Sequence, residues 1–264
     1  MYLSCSSQSY ADEIDAGRLG LEEWLRLCAE DLGLRAVELE DKHIGEPSAG
    51  RIRGLTAASA RHGLEIVNIA LMNNFGVADD ARRRAEEDRT IEWMGVARDL
   101  GSRFLRTFAG WPEGDRGARW PGMLRSLGAV CGRAEAAGMP LVMENHNHGG
   151  FVQRAADVQA ILDAVASPAL SLLLDTGNFL DGRPSIERTA RLARHVHAKF
   201  TRVERDGRDT AIDNAAAIDL LREAGYRGAV SVEYEGEEAG RTAVPRAIAY
   251  LRGLGVGDGP SSSA

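Results

Sequence analysis

Residues 141–150 read LVMENHNHGG, an apolar run that changes abruptly into polar residues and glycine. The run Leu141 to Met143 suits a strand that is covered on both faces. Glu144 would then need a hydrogen-bond or metal partner if it stayed near that interior. The stretch is therefore typical of a buried parallel strand that ends in a site, with an ordinary polar loop as the alternative.

Seven further apolar runs are spread along the chain, and stretches with helical periodicity lie between them. The eight predicted strands cover residues 2–5, 35–40, 65–71, 104–108, 140–144, 170–175, 195–200 and 229–233. Strand-then-helix units in this number, within about 250 residues, predict an α/β protein with the (β/α)₈ TIM barrel fold. A doubly wound sheet is the alternative, but SCSSQS at 4–9 stands where its glycine-rich turn would follow the first strand. We expect one domain over residues 1–254 and a disordered tail over residues 255–264.

Composition excludes several classes of protein. Of the 264 residues, 44% are hydrophobic, enough for one large core. The 39 acidic and 32 basic residues give a net charge of -7, which opposes binding to nucleic acid. The three cysteines are far apart, which indicates a reducing cytoplasm. With no secretory signal and no long apolar stretch, we expect a soluble, cytoplasmic protein with no membrane partner.

Acidic residues and histidines lie at the predicted ends of the last four strands. Glu144, Asp175 and Glu233 end strands five, six and eight, and strand seven carries His195 and His197. The carboxyl ends of the strands form the active face of such a barrel. Converging carboxylates would repel each other, whereas a divalent cation would compensate them and an imidazole would complete its shell. Each residue alone could be a turn or cap residue, and spacing leaves the choice of histidine open.

The oxygen-rich donor set favours one divalent metal ion, with Mn²⁺ as the first expectation. Mg²⁺, Co²⁺ and Zn²⁺ are the alternatives.

Two further histidines follow strand five. His146 shares the parity of Glu144, and a neutral imidazole titrates near pH 7, so we expect an acid/base role or a hydrogen bond to a substrate oxygen. His148 lies nearer the glycines and is a candidate substrate contact. The alternative for both is a loop histidine that faces solvent.

Other strand ends carry candidate substrate contacts. These are His43 after strand two, Asn73 after strand three, Trp111 after strand four and Lys199 near the end of strand seven. An indole there could form an apolar wall against a substrate, and an amide or ammonium could bind its oxygens. Packing within their own loops is the alternative.

Charged residues inside predicted strands need partners. Glu38 and Glu40 lie in a strand that is buried on both faces, and Arg51 or Arg53 on the next helix could pair with them. Arg106 in strand four is expected to pair with Glu38 across the barrel.

The strand ends are similar to those of the xylose isomerase-like TIM barrel superfamily, which contains sugar isomerases, epimerases and type IV endonucleases. The resemblance covers nearly the whole chain and is carried by VELED at 37–41, ENHNHGG at 144–150, LLLDTGNF at 172–179, HVHAKF at 195–200 and VSVEYEG at 230–236. It implies Glu144, Asp175, His197 and Glu233 as metal ligands. His197 is preferred because the histidine of the family directly precedes a small or apolar residue and a lysine.

The resemblance also narrows the branch of the superfamily. In ketose 3-epimerases, a histidine that contacts substrate occupies the position of Asn178, which makes Asn178 a substrate-binding candidate and disfavours 3-epimerisation here. The endonuclease branch resembles this barrel but uses three metal ions and more histidines, and the negative net charge argues against it.

The implied function is a metal-dependent isomerase or epimerase of a sugar, keto-sugar or polyol derivative. It would work through an enediolate, with Glu144 and Glu233 as acid/base groups and His146 assisting. The alternative enzyme is a lyase or dehydratase, including one that removes the aglycone from a 3-oxo glycoside. A metal- and sugar-binding barrel that acts as a sensor or as a partner subunit is the non-catalytic alternative, and a homo-oligomer stays open.

Overall fold

Eight parallel strands close into a barrel in the order of the chain. The computed structural model describes residues 1–259, and β1 pairs with both β2 and β8. The strands are β1 Tyr2–Ser6, β2 Ala36–Glu40, β3 Glu65–Ala70, β4 Phe104–Thr107, β5 Leu141–Glu144, β6 Leu170–Asp175, β7 Ala193–Phe200 and β8 Ala229–Tyr234. Each of the eight predicted strands is present, with ends that differ by two residues at most, so the predicted TIM barrel is confirmed.

Helices follow the strands and cover the outside of the barrel. They are α1 Ala11–Asp15, α2 Leu21–Arg26, α3 Asp41–Ile44, α4 Ala49–Arg61, α5 Asp80–Asp99, α6 Arg116–Ala137, α7 Ala155–Val165, α8 Arg183–Thr189, α9 Asn214–Glu223 and α10 Gly240–Gly253. Carboxylates start several of them: Asp79, Asp115 and Asp213 accept backbone N–H groups at the N-termini of α5, α6 and α9. These caps fix where each loop at the carboxyl ends of the strands passes into its helix.

The strands are buried on both faces, as a barrel covered by helices requires. Apolar side chains fill the layer between strands and helices, with Trp24 and Leu25 on α2 fully buried. The barrel interior also holds polar side chains that are fully buried, among them Ser4, Asn68 and Ser231. The interior of the barrel is therefore partly polar, and its buried polar groups need hydrogen-bond partners.

The segment after α10 folds back onto β1. The Leu3 amide donates to the Gly257 carbonyl at 2.7 Å, and the Gly257 amide donates to the Met1 carbonyl at 3.2 Å. Val256 is buried. The prediction of a disordered tail is therefore wrong for residues 255–259, and the rest of that predicted tail, 260–264, lies outside the described residues.

Within residues 1–259, none of the helices combines the length and the apolar character that a membrane span needs.

Candidate metal centre and cavity

Four side chains converge where β5, β6, β7 and β8 reach the barrel mouth. Glu144, Asp175, His197 and Glu233 each offer a ligand atom, and these atoms lie within 4.8 Å of one another. Strand register explains the convergence, because Asp175 lies beside His197 on the neighbouring strand. All four are buried. The structure thus brings together the ligand set that the resemblance implied.

Three atoms of this cluster form no hydrogen bond of good geometry among the described residues, although the two carboxylate oxygens among the three form ion pairs with Lys199 Nζ. They are Asp175 Oδ2, His197 Nδ1 and Glu233 Oε2. His197 Nδ1 lies 3.4 Å from Glu233 Oε2 and 3.5 Å from Glu144 Oε1. Buried polar atoms without partners are costly, and oxygen and nitrogen donors at such spacing fit a divalent cation. We therefore describe the cluster as one that could hold a divalent metal ion.

Glu38 fixes the orientation of His197 from below the cluster. His197 Nε2 lies 2.8 Å from Glu38 Oε1, and His195 Nε2 lies 2.5 Å from Glu38 Oε2. Ser231 Oγ adds a third donor to Glu38 at 3.3 Å. With its Nε2 occupied by the carboxylate, His197 presents Nδ1 to the cluster, which is the arrangement of many metal-binding histidines. His195 pairs with Glu38 and is not one of the four residues of the cluster.

The charge on Glu38 is well stabilised. Burial alone would raise its pKa, but the charge of His197 and the hydrogen bonds from both histidines hold the pKa of Glu38 well below its usual value. Glu38, His195 and His197 are also close enough to share a cation, yet their facing atoms are already hydrogen-bonded to one another. This group therefore contacts the four-residue cluster through His197.

Two buried cations lie between the carboxylates at the barrel mouth. Lys199 Nζ is 2.5 Å from Glu233 Oε2 and 3.4 Å from Asp175 Oδ2. Arg106 Nη1 donates to Glu144 Oε2 at 2.9 Å, and Arg106 Nη2 donates to Glu40 Oε2 at 3.3 Å. The expected pair between Arg106 and Glu38 is therefore wrong.

The other predicted partner of these carboxylates lies elsewhere. Arg51 donates to the carbonyl oxygens of His43 and Ile44. It does so because α3 places these carbonyls beside the start of α4, so Arg51 stabilises a loop and does not compensate Glu38 or Glu40.

The buried part of the site is rich in carboxyl groups. Glu38, Glu40, Glu144, Asp175 and Glu233 are buried, and among the described residues Arg106, Lys199 and His197 are buried basic groups that face them. Burial raises the pKa of Asp175 well above its usual value, and the neighbouring Glu233 and Glu144 raise it further against the effect of Lys199. Burial also raises the pKa of Glu40 to about 8. A bound divalent cation would favour the charged form of the carboxyl groups that hold it.

A cavity of about 260 Å³ opens above the cluster. Its lining consists of Gln8, Glu40, Asp41, Lys42, Met72, Arg106, Phe108, Glu144, His146, Asn178, Lys199, Glu233 and Glu235. Five residues predicted from the sequence are among them: Glu144, Glu233, His146, Asn178 and Lys199. Its size and its mixed polar and aromatic lining fit a small polar molecule.

His146 is held by an aromatic group at one wall. Its ring centroid is 5.5 Å from that of Phe108, with the planes perpendicular, and 5.0 Å from that of Trp111. Burial lowers the pKa of His146 below its usual value. The imidazole is therefore neutral at pH 7 and free to accept or donate a proton. Trp111 supports this ring from behind and does not line the cavity.

Three other predicted substrate contacts also lie outside the cavity lining. His43 Nδ1 is 2.7 Å from Ser7 Oγ, and its Nε2 is 3.2 Å from Asp15 Oδ1. Asn73 accepts from the Phe108 amide at 2.8 Å and donates to the Phe108 carbonyl at 2.9 Å. His148 is exposed, and its ring packs against His146 at 4.8 Å. His43 and Asn73 are thus hydrogen-bonded within the loops, and His148 contacts the ring of His146.

Several residues that line the cavity were not among the site residues predicted from the sequence. Glu40, Arg106 and Phe108 line it together with Gln8 and Met72. The signal for Glu40 was present, because it shares the parity of Glu38 at the very end of β2. Phe108 and Met72 carried no signal, since an apolar residue after a strand is more often part of the core.

The fold and the cluster together define a class: a parallel (β/α)₈ barrel with a carboxylate and histidine group at the carboxyl ends of its strands. The model of the xylose isomerase-like TIM barrel family matches residues 27–254. The chain belongs to this family. No curated protein sequence matches the chain.

Solved structures share the fold at low sequence identity. The 3-keto-D-glucoside 4-epimerase YcjR from E. coli is 16% identical to this chain, with a TM-score of 0.78. The match covers 96% of this chain and 99% of the epimerase chain. D-psicose 3-epimerase from Clostridium cellulolyticum H10 is 16% identical with a TM-score of 0.77, covering 96% and 98%. The probable 3-DHS dehydratase AsbF from Bacillus anthracis is 16% identical with a TM-score of 0.74, covering 97% and 99%.

Proposed function

We propose that this protein is a divalent-metal-dependent isomerase or epimerase of a sugar, keto-sugar or polyol derivative. The observation that carries the proposal is the convergence of four ligand atoms, from Glu144, Asp175, His197 and Glu233, below a polar cavity. Lys199 Nζ forms ion pairs with Glu233 and Asp175 at the same place, so the position already attracts positive charge. Because sugar epimerases and a dehydratase share this fold, an activity on small polyhydroxy substrates is supported. The finer assignment rests on the chemistry of the residues.

Glu144 and Glu233 are the proposed proton-transfer groups. A bound cation, with Mn²⁺ first expected and Mg²⁺, Co²⁺ or Zn²⁺ as alternatives, would polarise a substrate carbonyl and so acidify the neighbouring C–H. The two carboxylates come from β5 and β8, on either side of Asp175 and His197, and both line the cavity. One takes the proton from the carbon, and the enediolate that results is reprotonated. Return of the proton to the opposite face gives epimerisation, and return to the neighbouring carbon gives isomerisation.

The remaining polar residues of the cavity bind the substrate and orient it. Lys199 offers its ammonium to a developing oxyanion beside Glu233. Asn178 Nδ2 lies 3.5 Å from Glu144 Oε1, so its amide is placed to position that carboxylate and to contact a sugar hydroxyl. His146 is the proposed relay for a proton on a substrate oxygen, since its imidazole lines the cavity and is held by Phe108. Four predicted substrate contacts act on the substrate site only indirectly, through the loops and rings that they contact: His43, Asn73, Trp111 and His148.

Elimination is the second candidate, as in a lyase or dehydratase that includes deglycosylation of a 3-oxo glycoside. Asn178 favours it, because ketose 3-epimerases carry a histidine there. The same first step serves both reactions, since a proton must leave the carbon beside the carbonyl in each.

We also propose a cytoplasmic location. Cys5, Cys28 and Cys131 are free and buried, which suits a reducing compartment.

A panel of keto-sugars followed by NMR in deuterium oxide tests the function. With Mn²⁺ present, an epimerase or isomerase gives a new sugar that carries deuterium at the reacting carbon, whereas a lyase gives an alkene or a released leaving group. Glu144→Gln and Glu233→Gln should each lose at least about 100-fold in turnover, because a proton-transfer group is removed. Normal ligand binding by these variants, with no turnover of any panel member by the wild-type protein, would instead favour a binding protein.

A further inference from the structure

Glu40, at the end of β2, is a buried carboxylate that the proposed proton transfer does not use. It lines the cavity together with Glu144 and Glu233, which belong to the metal cluster and the proton-transfer pair. The barrel order places β2 across from β6, so Glu40 approaches the cavity from the side that faces Asp175. A substrate held above the cluster would therefore lie between them.

Arg106 links Glu40 to the metal cluster but leaves it incompletely paired. Arg106 Nη2 donates to Glu40 Oε2 at 3.3 Å, while Arg106 Nη1 donates to Glu144 Oε2 at 2.9 Å. Glu40 Oε1 and Arg106 Nε are both buried and have no hydrogen-bond partner among the described residues. Arginine–carboxylate pairs frequently use both carboxylate oxygens in a two-pronged contact, and this pair uses one. Glu40 Oε1 and Arg106 Nε are therefore available to contact a molecule in the cavity.

The guanidinium is fixed in place, which makes Glu40 a well-positioned group. Arg106 Cζ lies 4.5 Å from the ring centroid of Phe108, and register sets Glu40 and Arg106 level with each other through Ala70 on β3. The Glu40 backbone amide is held by Ser7 Oγ at 2.9 Å. Strand, hydroxyl and guanidinium therefore hold Glu40 from three directions.

We propose that Glu40 is a catalytic acid of this site, which hydrogen-bonds to a substrate hydroxyl and protonates it as it leaves. This inference extends the second candidate, elimination, and rests on the removal of a proton from the carbon beside the carbonyl that both proposed reactions share. The base, Glu144 or Glu233, takes that C–H proton, the C=C bond forms, and the C–O bond to the hydroxyl on the next carbon breaks. The departing oxygen takes the Glu40 proton and leaves as water, after which the base loses its proton to solvent and Glu40 takes one from solvent. The substrate class is a keto-sugar with a hydroxyl β to its carbonyl, and the reaction is elimination.

The protonation state suits this role. Burial raises the pKa of Glu40 to about 8, the charge of Arg106 opposes that effect, and nearby Glu38 and Glu233 reinforce it. A carboxyl group with such a pKa carries its proton at pH 7 and can deliver it.

The test compares Glu40→Gln with wild-type protein, both loaded with Mn²⁺. Two substrates are needed. One is a keto-sugar from the panel that wild-type protein converts to an alkene, and the other is its analogue with fluorine in place of the leaving hydroxyl group. We expect Glu40→Gln to lose about 100-fold or more in elimination of the hydroxyl, as loss of a general acid does. Deuterium exchange at the acidic carbon and release of fluoride should stay close to wild-type rates, because neither step needs the acid. Glu40→Asp should recover part of the elimination.

A control removes a carboxylate from the other end of the barrel. Glu65 on β3 pairs with Arg103 before β4 at 2.5 Å, so Glu65→Gln also breaks an arginine–carboxylate pair, but a partly exposed one that does not line the cavity. Its elimination rate, and the Mn²⁺ affinity of both variants, should match wild type.

Four results would overturn the inference. Elimination at the wild-type rate by Glu40→Gln would remove Glu40 from catalysis. Equal losses with the hydroxyl and fluoride substrates would show a structural role. Wild-type protein that exchanges deuterium with panel members but eliminates none would contradict the acid while keeping the proposed function, whereas no exchange and no turnover at all would contradict both.

Discussion

At the scale of single residues, the chemistry of the site depends on which of its atoms have hydrogen-bond partners. Glu38 accepts from His195 and His197 and so leaves His197 Nδ1 facing the carboxylates of the cluster. The sequence predicted the cluster because four strands end in suitable residues. It could not predict the different roles of Glu38 and Glu40. The alternation of side chains along a strand shows which face a residue occupies, but not its height along the barrel axis. That height depends on the stagger of neighbouring strands. A register shift between Val37 and Glu38 contributes to that stagger.

Glu38→Gln should weaken metal binding without removing a ligand. A glutamine amide can donate as well as accept, so it no longer fixes the His197 ring with Nδ1 towards the cluster. We expect Mn²⁺ affinity to fall about 10–100-fold, as for other groups that orient a metal-binding histidine. Equilibrium dialysis measures this directly, and unchanged affinity would contradict the role of Glu38. Glu65→Gln is again the control, since it lies at the far end of the barrel.

His43 should make stability depend on pH. Burial lowers the pKa of His43 to about 4 from an ordinary value of 6.5. Below pH 6.5 the unfolded chain takes up a proton that the folded chain does not, so the free energy of unfolding falls as pH falls from 6.5 towards 4. Between pH 7 and pH 5 we expect wild-type protein to lose about 1–2 kcal/mol more than His43→Gln. Urea unfolding at both pH values tests this, and parallel losses in the two proteins would refute it.

At the scale of elements, the strands were predictable and the loops were not. A run such as 170–175 specifies a buried strand through its side chains alone, and β6 has these bounds. His43 lies in α3, a helix of a single turn. Its imidazole is hydrogen-bonded to Ser7 and does not line the cavity. Asn73 likewise binds the backbone of Phe108, a contact between two loops. Such contacts depend on distances across the fold that one sequence does not encode locally.

Gly110 is the loop position where a side chain should do most harm. Its φ is +98°, and an added Cβ would overlap Asn74 Oδ1 and lie 2.7 Å from the Phe75 amide nitrogen. Asn74 Oδ1 accepts from the Trp111 amide at 2.7 Å, so Gly110→Ala should also displace the loop that holds His146. Gly101 is a suitable control: its φ is +71°, and no described heavy atom lies within 4 Å of its added Cβ. Gly101→Ala should cost about 1 kcal/mol of unfolding free energy, and Gly110→Ala clearly more. Equal losses in thermal unfolding would contradict the close approach.

At the scale of the whole molecule, the barrel gathers its buried carboxyl groups at one end. The closed ring of strands brings the carboxyl groups of β2, β5, β6 and β8 together, and burial raises the pKa of Asp175 well above its usual value. A bound divalent cation would favour the charged form of this ligand. Divalent cations should therefore stabilise the folded state. At a free Mn²⁺ concentration of about 100 times Kd, we expect a gain of about 2.7 kcal/mol in unfolding free energy. Thermal unfolding with and without Mn²⁺ measures this gain, and a Tm that does not rise would argue against a site in the folded barrel.

The most direct test of the central claim is the stoichiometry of Mn²⁺ binding. Wild-type protein should bind one Mn²⁺ per chain in equilibrium dialysis, as one cluster of four ligands implies. Asp175→Asn and His197→Gln should each abolish that binding, while His195→Gln should keep a measurable site because His195 faces Glu38. Less than one ion for every two chains in wild-type protein, or full binding by the Asp175 and His197 variants, would contradict a metal centre at the ends of β5 to β8.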